Sequence, residues 1–182
     1  MTTKRHSFTC QSVILALVLA LPLPLCFVFA EDRAVAEPNP VRVAFLGVRL
    51  QNDNEGLEPT TDAERNRVAM LGKQFTSALA DSGKYTITPL TDDVRAQIAS
   101  GQPIGQCGGC EATLGKQLEA DRVAWVTVQK VSNLILNINV YMADVANDKM
   151  TFIKSVDVRG NTDESWARSM TYLLHNYLLS KK

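Results

Sequence analysis

The chain has 182 residues, carries 19 basic and 19 acidic side chains, and is 46% hydrophobic. A balance this even gives no electrostatic reason to expect nucleic acid or an anionic membrane surface as partner. No internal repeat and no low-complexity run is visible, so the sequence reads as an ordinary folded domain behind a leader.

The leader is residues 1–30. Lys4 and Arg5 form a positive start, Val13 to Phe29 is apolar apart from Pro22 and Pro24, and Val28-Phe29-Ala30 offers an A-x-A-like cleavage site. That is the pattern of a secretory signal peptide and predicts a periplasmic protein. Ala34-Val35-Ala36 is a second candidate site. Retention as an anchor is the rival reading, and the only route to membrane contact; the run is slightly short of the ~20 residues a spanning helix needs. A lipoprotein reading through Cys26 is set aside because Leu25 stands where a small residue belongs. Without residues 1–30 the chain keeps 17 basic and 19 acidic side chains, a net of about −2, with two cysteines, Cys107 and Cys110, and one histidine, His175. Residues 31–40, with Pro38 and Pro40, read as a linker. Residues 41–180 are expected to form one α/β domain, a length that suits one core.

Val41–Leu50 is a nearly continuous apolar run and fits a central strand covered on both faces. Gln51–Pro59 is a polar, acidic loop. Thr61, with Glu64 three residues on, forms a capping box for a helix whose stripe is Val68, Leu71, Phe75, Ala78 and Leu79, and Asp81-Ser82-Gly83 ends it. Lys84–Leu90 is a second strand. Thr91 caps a short helix through Ala99, and Cys110–Leu118 forms a third.

Three strands follow. In Leu134–Met142 the even positions are apolar (Leu134, Leu136, Ile138, Val140, Met142), while Ile135, Asn137, Asn139 and Tyr141 alternate with them. That pattern predicts a sheet with one buried and one polar face. For the first hairpin the expected register pairs Lys130 with Leu134, Val128 with Leu136, Val126 with Ile138 and Ala124 with Val140. It places Thr127 by Asn137, Trp125 by Asn139 and Val123 by Tyr141. For the second, Met142 faces Phe152, Ile138 faces Val156 and Leu136 faces Val158, with Asn139 by Ser155, Asn137 by Asp157 and Ile135 by Arg159. A one-residue slip there would bury Asp157, so the pattern selects this register. It leaves a three-residue loop, Ala146-Asn147-Asp148. Lys154, opposite Val140 on the apolar side, must snorkel out. Asn161, with Glu164 three positions on, is read as the cap of a last helix with a buried stripe of Trp166, Met170, Leu173, Leu174, Tyr177 and Leu178. The order β-α-β-α-α-β-β-β-α is a mixed α/β sandwich with a single mixed sheet, a C-terminal three-stranded antiparallel meander and helices on one main face.

This order over residues 41–179 resembles the TolB amino-terminal domain, whose outline is shared with lipoprotein activators of penicillin-binding proteins and with CsgG-like secretion proteins. The strings from Lys130 to Val140 (KVSNLILNINV) and from Asp157 to Trp166 (DVRGNTDESW), with the Cys107-x-x-Cys110 pair, are similar to an exported proteobacterial family of unknown function. The broader resemblance implies protein–protein work in the cell envelope. The narrower one implies no established activity, and an association with quinoprotein alcohol-oxidation systems as accessory or ligand carrier is an alternative it suggests.

Cys107-Gly108-Gly109-Cys110 precedes a helix, where the dipole would favour a thiolate, as in disulfide oxidoreductases. The segment before it is not a strand, so the strand–motif–helix setting of those enzymes is missing. A structural disulfide between loop and helix is the favoured reading in an oxidising compartment. Redox catalysis is the alternative, and two cysteines alone do not complete a tetrahedral metal site. His175 is expected to face solvent, off the apolar stripe. Asn52-Asp53-Asn54-Glu55-Gly56 hints at a calcium loop, but puts Gln51 at the first ligand position and Asp62 where a bidentate Glu belongs. No phosphate-binding glycine loop is present. No catalytic residue, metal or cofactor is therefore assigned. The polar sheet face remains: Trp125, Thr127, Asn137, Asn139, Tyr141, Ser155, Asp157 and Arg159, with Gln129. Amides and hydroxyls beside Trp and Tyr suit a recognition surface for an envelope protein. The chain thus reads as a non-enzymatic accessory protein, with a thiol–disulfide enzyme using Cys107 and Cys110 as the alternative.

Overall fold

Strand β1 (Val41–Asn52) organises the domain, as its run of apolar residues on both faces requires. The computed structural model describes residues 39–180; the leader and most of the linker, residues 1–38, lie outside the described residues. After β1 come α1 (Asp62–Asp81), β2 (Tyr85–Thr88), α2 (Asp92–Ser100), α3 (Cys110–Gln117), β3 (Arg122–Lys130), β4 (Ile135–Asp144), β5 (Met150–Arg159) and α4 (Asp163–Leu173), which continues into a π-helical turn over Leu174–Leu178. The sheet order is β2-β1-β3-β4-β5. β1 runs parallel to β2 and β3, and β3, β4 and β5 form the expected antiparallel meander.

Helices α1 and α4 cover the main face. Leu71, Phe75 and Leu79 from α1 and Trp166, Met170 and Leu173 from α4 pack on Val43, Val126, Val128, Ile138, Val140 and Met142. The short helices α2 and α3 cover one end of the opposite face, where Val94, Leu114 and Leu118 bury Ala44, Leu46, Val123 and Trp125 in a second, smaller core. The α1 capping box is formed as read: the Glu64 N–H donates to the Thr61 hydroxyl, and the Thr61 N–H donates to the Glu64 carboxylate at 2.7 Å.

The second hairpin has the expected register throughout, including Asn139–Ser155 and Asn137–Asp157. Lys154 faces Val140 and snorkels as required, its ammonium lying 3.8 Å from the centre of the Tyr177 ring. A bulge between Met142 and Ala143 leaves Thr151 unpaired and lengthens the connection beyond the three residues expected. The first hairpin is displaced by two residues from the expected register. Lys130 faces Leu136, Val128 faces Ile138, Val126 faces Val140, Thr127 faces Asn139 and Trp125 faces Tyr141. A two-residue slip leaves every side chain on its expected face, so the hydrophobic pattern does not discriminate it. The turn does: the N–H groups of Val131 and Ser132 both donate to the Ile135 carbonyl. Asn161 is not the cap of α4. Thr162 is, in a reciprocal box with Ser165, which frees Asn161 for other work. Tyr177, expected in the buried stripe, is exposed on the π-helical turn.

One irregularity sets up the opposite face. Between Phe45 and Val48 the β1–β3 pairing shifts, so that Leu46 and Gly47 together oppose Trp125, and Gly47 takes a φ of +118°. The bulge changes the parity of β1. Val48 and Leu50 continue the main-face row begun by Val43, while Arg49 and Gln51 turn to the face of Ala44 and Leu46.

Candidate binding face

Register places four rows on the face opposite α1 and α4. Arg49 and Gln51 lie opposite Thr127 and Gln129, Thr127 opposite Asn139, and Asn139 opposite Ser155. Trp125 and Tyr141 stack with ring centres 5.3 Å apart and planes 13° from parallel. The Asn139 side-chain amide donates to the Thr127 carbonyl and to Asn137 Oδ1. Loop residues 101–109 descend on this patch from one side: a Cβ on Gly105 would lie 2.9 Å from the Trp125 indole nitrogen, so only glycine permits that approach. The result is a groove of about 200 Å³ lined by Arg49, Gln51, Gly105, Gln106, Trp125, Thr127, Gln129, Asn139 and Tyr141.

The structure therefore gathers Trp125, Thr127, Asn139 and Tyr141 at one groove, with Asn137 at its edge. Trp125 and Thr127 are buried rather than surface-exposed. Ser155, Asp157 and Arg159 are exposed on β5 and line a separate open groove of about 690 Å³ against Arg168, Tyr172 and Tyr177. Among the described residues neither Asp157 nor Arg159 forms an ion pair, and Asp163, at the start of α4, pairs with Arg67 at 2.7 Å. Beyond the cover of α2 and α3, Ile153 lies opposite Tyr141 and Ile135 opposite Arg159, and both isoleucines are about 60% exposed.

Sequence reasoning missed Arg49, which sits in an apolar run and reaches this face only through the Gly47 bulge. Its Nη2 donates to Gln51 Oε1 at 3.1 Å. Gln51 and Gln129 in turn donate to the two oxygens of Asp53, and these bonds, Gln129 first, hold the Asp53 carboxyl below its usual range. In the neighbouring loop, Glu55 accepts from the Thr60 hydroxyl, the Thr60 N–H and Asn52, so its acidity is spent within the loop.

Cys107 and Cys110 form a disulfide with Cα atoms 5.5 Å apart. Glu111, buried behind it, accepts from the Gly105 N–H and lies 3.1 Å from Cys107 Sγ. Those three side chains could converge on an ion, but as a disulfide the sulfurs supply no thiolate.

A second cluster was also hidden. Lys130 and Glu64 are each 1% exposed and pair at 2.8 Å. Asn161 donates to Glu64 at 2.7 Å and to Asn133, while its own oxygen accepts from the Trp166 indole and from Arg67. Burial pushes the Glu64 carboxyl up, but bonds from Lys130, the Thr61 N–H, Asn161 and the Thr61 hydroxyl outweigh it and hold the pKa at about 2. The two sequence strings that carry the family resemblance thus meet here through Lys130, Asn133, Asn161, Asp163 and Trp166.

The family model described as "Protein of unknown function (DUF2380)", named DUF3280, matches residues 41–178. The chain belongs to this family. No curated protein matches it. Solved structures similar to it include the LpoB C-terminal domain from Salmonella enterica, at 12% identity, covering 69% of this chain and 87% of that one with a TM-score of 0.48. A lipoprotein from Neisseria meningitidis is similar at 12% identity over 68% of this chain and 84% of that one, with a TM-score of 0.49. TolB from Acinetobacter baumannii is similar at 14% identity over 75% of this chain and 28% of that one, with a TM-score of 0.42. Among the described residues no helix is long and apolar enough to cross a membrane.

Proposed function

We propose that this DUF3280 chain is an exported, periplasmic, non-enzymatic accessory protein that docks on a protein of the cell envelope through the face opposite α1 and α4. The observation that carries the reading is the uncovered half of that face. Exposed Ile135 and Ile153 flank Asn137, Asn139 and Tyr141, so apolar anchors stand beside amides on a rigid antiparallel sheet. The leader at residues 1–30 supports the address, and the Cys107–Cys110 disulfide suits an oxidising compartment.

A photoreactive residue at position 139, irradiated in cells and followed by mass spectrometry, tests this. One dominant protein adduct, lost in an Ile153→Lys variant that still folds, is the expected result. No adduct from position 139 in soluble, folded protein would defeat the docking reading. Trp125 is a poor choice for the variant, because truncating a buried Trp costs about 3–5 kcal/mol and would test folding instead.

Thiol–disulfide exchange is a second reading, favoured by one observation: the buried Glu111 carboxylate beside Cys107 Sγ at the start of α3. A reduction potential below about −300 mV would mark the bond as structural and remove this reading.

A further inference from the structure

Arg49 is a partly buried cation without an anion. Among the described residues no carboxylate lies within ion-pair distance of it, and its Nε is buried without a hydrogen-bond partner. An unsatisfied buried donor on a charged group is costly and calls for a reason. The nearest acid along the strand, Asp53, is occupied by Gln51 and Gln129. Glu111, across the loop, is occupied by the Gly105 N–H.

Arg49 and Trp125 also separate two small cavities. On one side is the polar groove of about 200 Å³, with the amides of Gln51, Gln129 and Asn139. On the other is an apolar one of about 230 Å³, lined by Leu46, Ile98, Pro103 and Ile104. Both fall below the 300–1,000 Å³ of sites that hold drug-sized ligands or cofactors. Each is of a size for one or two residues of a polypeptide.

We infer that Arg49 receives the C-terminal carboxylate of a partner polypeptide, whose last side chain is aliphatic. A terminal residue carries its carboxylate and its side chain on one Cα, which matches a cation placed between a polar and an apolar cavity. The guanidinium fork suits a carboxylate in two-point contact. The amides of the polar groove face the peptide group that precedes the terminus, a group a free small acid lacks. The Gly47 bulge has the same logic, since it turns Arg49 out of the main core and onto this face. This inference rests on the docking reading above and specifies what one part of the face recognises.

The test uses the full chain and an acetylated octapeptide pool with randomised positions and free C-termini. The pool should enrich for Leu, Val or Ile at the last position. The enriched peptide as a free acid should bind at least about tenfold more tightly than its C-terminal amide, followed by tryptophan fluorescence. Arg49→Gln should remove that preference, and Arg49→Lys should restore only part of it. No enrichment, or equal binding of acid and amide by the unaltered protein, would overturn the inference without recourse to any variant. So would binding of free leucine or isovalerate as tight as the peptide, which would make the ligand a small acid. Cross-linking from position 139 separates the two proposals. A protein adduct that persists in Arg49→Gln, with no acid preference in the peptides, leaves docking standing and ends the carboxylate inference.

Discussion

Removing the Lys130 ammonium should destabilise the protein severely, and removing its partner's charge as well should restore most of the loss. Lys130 and Glu64 are 1% exposed and 2.8 Å apart, so Lys130→Met strands a carboxylate in the interior, and Glu64→Gln strands an ammonium with only Glu58 at 3.8 Å to face it. Breaking a buried pair from one side costs about 3–5 kcal/mol, whereas replacing both partners is often neutral. Gln at position 64 keeps one oxygen for the Thr61 N–H, so the cap survives in the double variant, while the Asn161 amide, which bonds the other carboxylate oxygen, loses that acceptor. Each single change should therefore lower Tm by about 10–15 °C in a domain of this size, and the double should fall within about 4 °C of the parent. Urea denaturation followed by Trp166 fluorescence gives the free energies, and the double-mutant cycle gives a coupling of at least about 2 kcal/mol. Acid adds a second reading. The Glu64 pKa is lowered from 4.5 to about 2, so the folded state favours the ionised form. That stabilisation, about 3 kcal/mol, is complete above pH ~4.5 and is lost as pH falls through about 2. In Lys130→Met the main bond lowering the pKa is gone, so the loss between pH 5 and 2 should shrink. Single variants that cost under about 1 kcal/mol, or a double that costs the sum of the singles, would refute the reasoning.

Two glycines should respond in opposite directions. Gly47→Ala, at a φ of +118°, should cost about 1–3 kcal/mol by denaturant titration. Gly72→Ala lies inside α1, where a Cβ meets Phe45 and Val48 at 3.6 Å, an ordinary contact distance, and should raise stability by about 1 kcal/mol. Reducing the Cys107–Cys110 disulfide, which closes only a short loop, should cost about 2 kcal/mol and expose Trp125, read as an emission shift to the red on adding reductant.

The sequence was most informative where a wrong choice would have changed what is buried. Between β4 and β5 a one-residue slip exchanges Val156 with Asp157, and the register was legible for that reason. Between β3 and β4 the competing register differed by two residues, kept every side chain on its face, and was decided by the turn at Val131–Ile135 and the stacking of Trp125 on Tyr141. The disulfide pair was readable from a local string. The chemistry of the two candidate sites was not, because each depends on a departure from local pattern. Glu64 looks like an ordinary capping residue until Lys130, 66 positions away, arrives from the end of β3. Arg49 looks like an interruption in a buried strand until one extra residue at Gly47 reverses the strand's parity. A bulge costs ladder hydrogen bonds, and a buried ion pair costs desolvation. In this fold both costs fall on residues that leave the main apolar core intact. Each device instead places a charged group where only tertiary neighbours give it a role, which is why periodicity alone located the faces but not the cations.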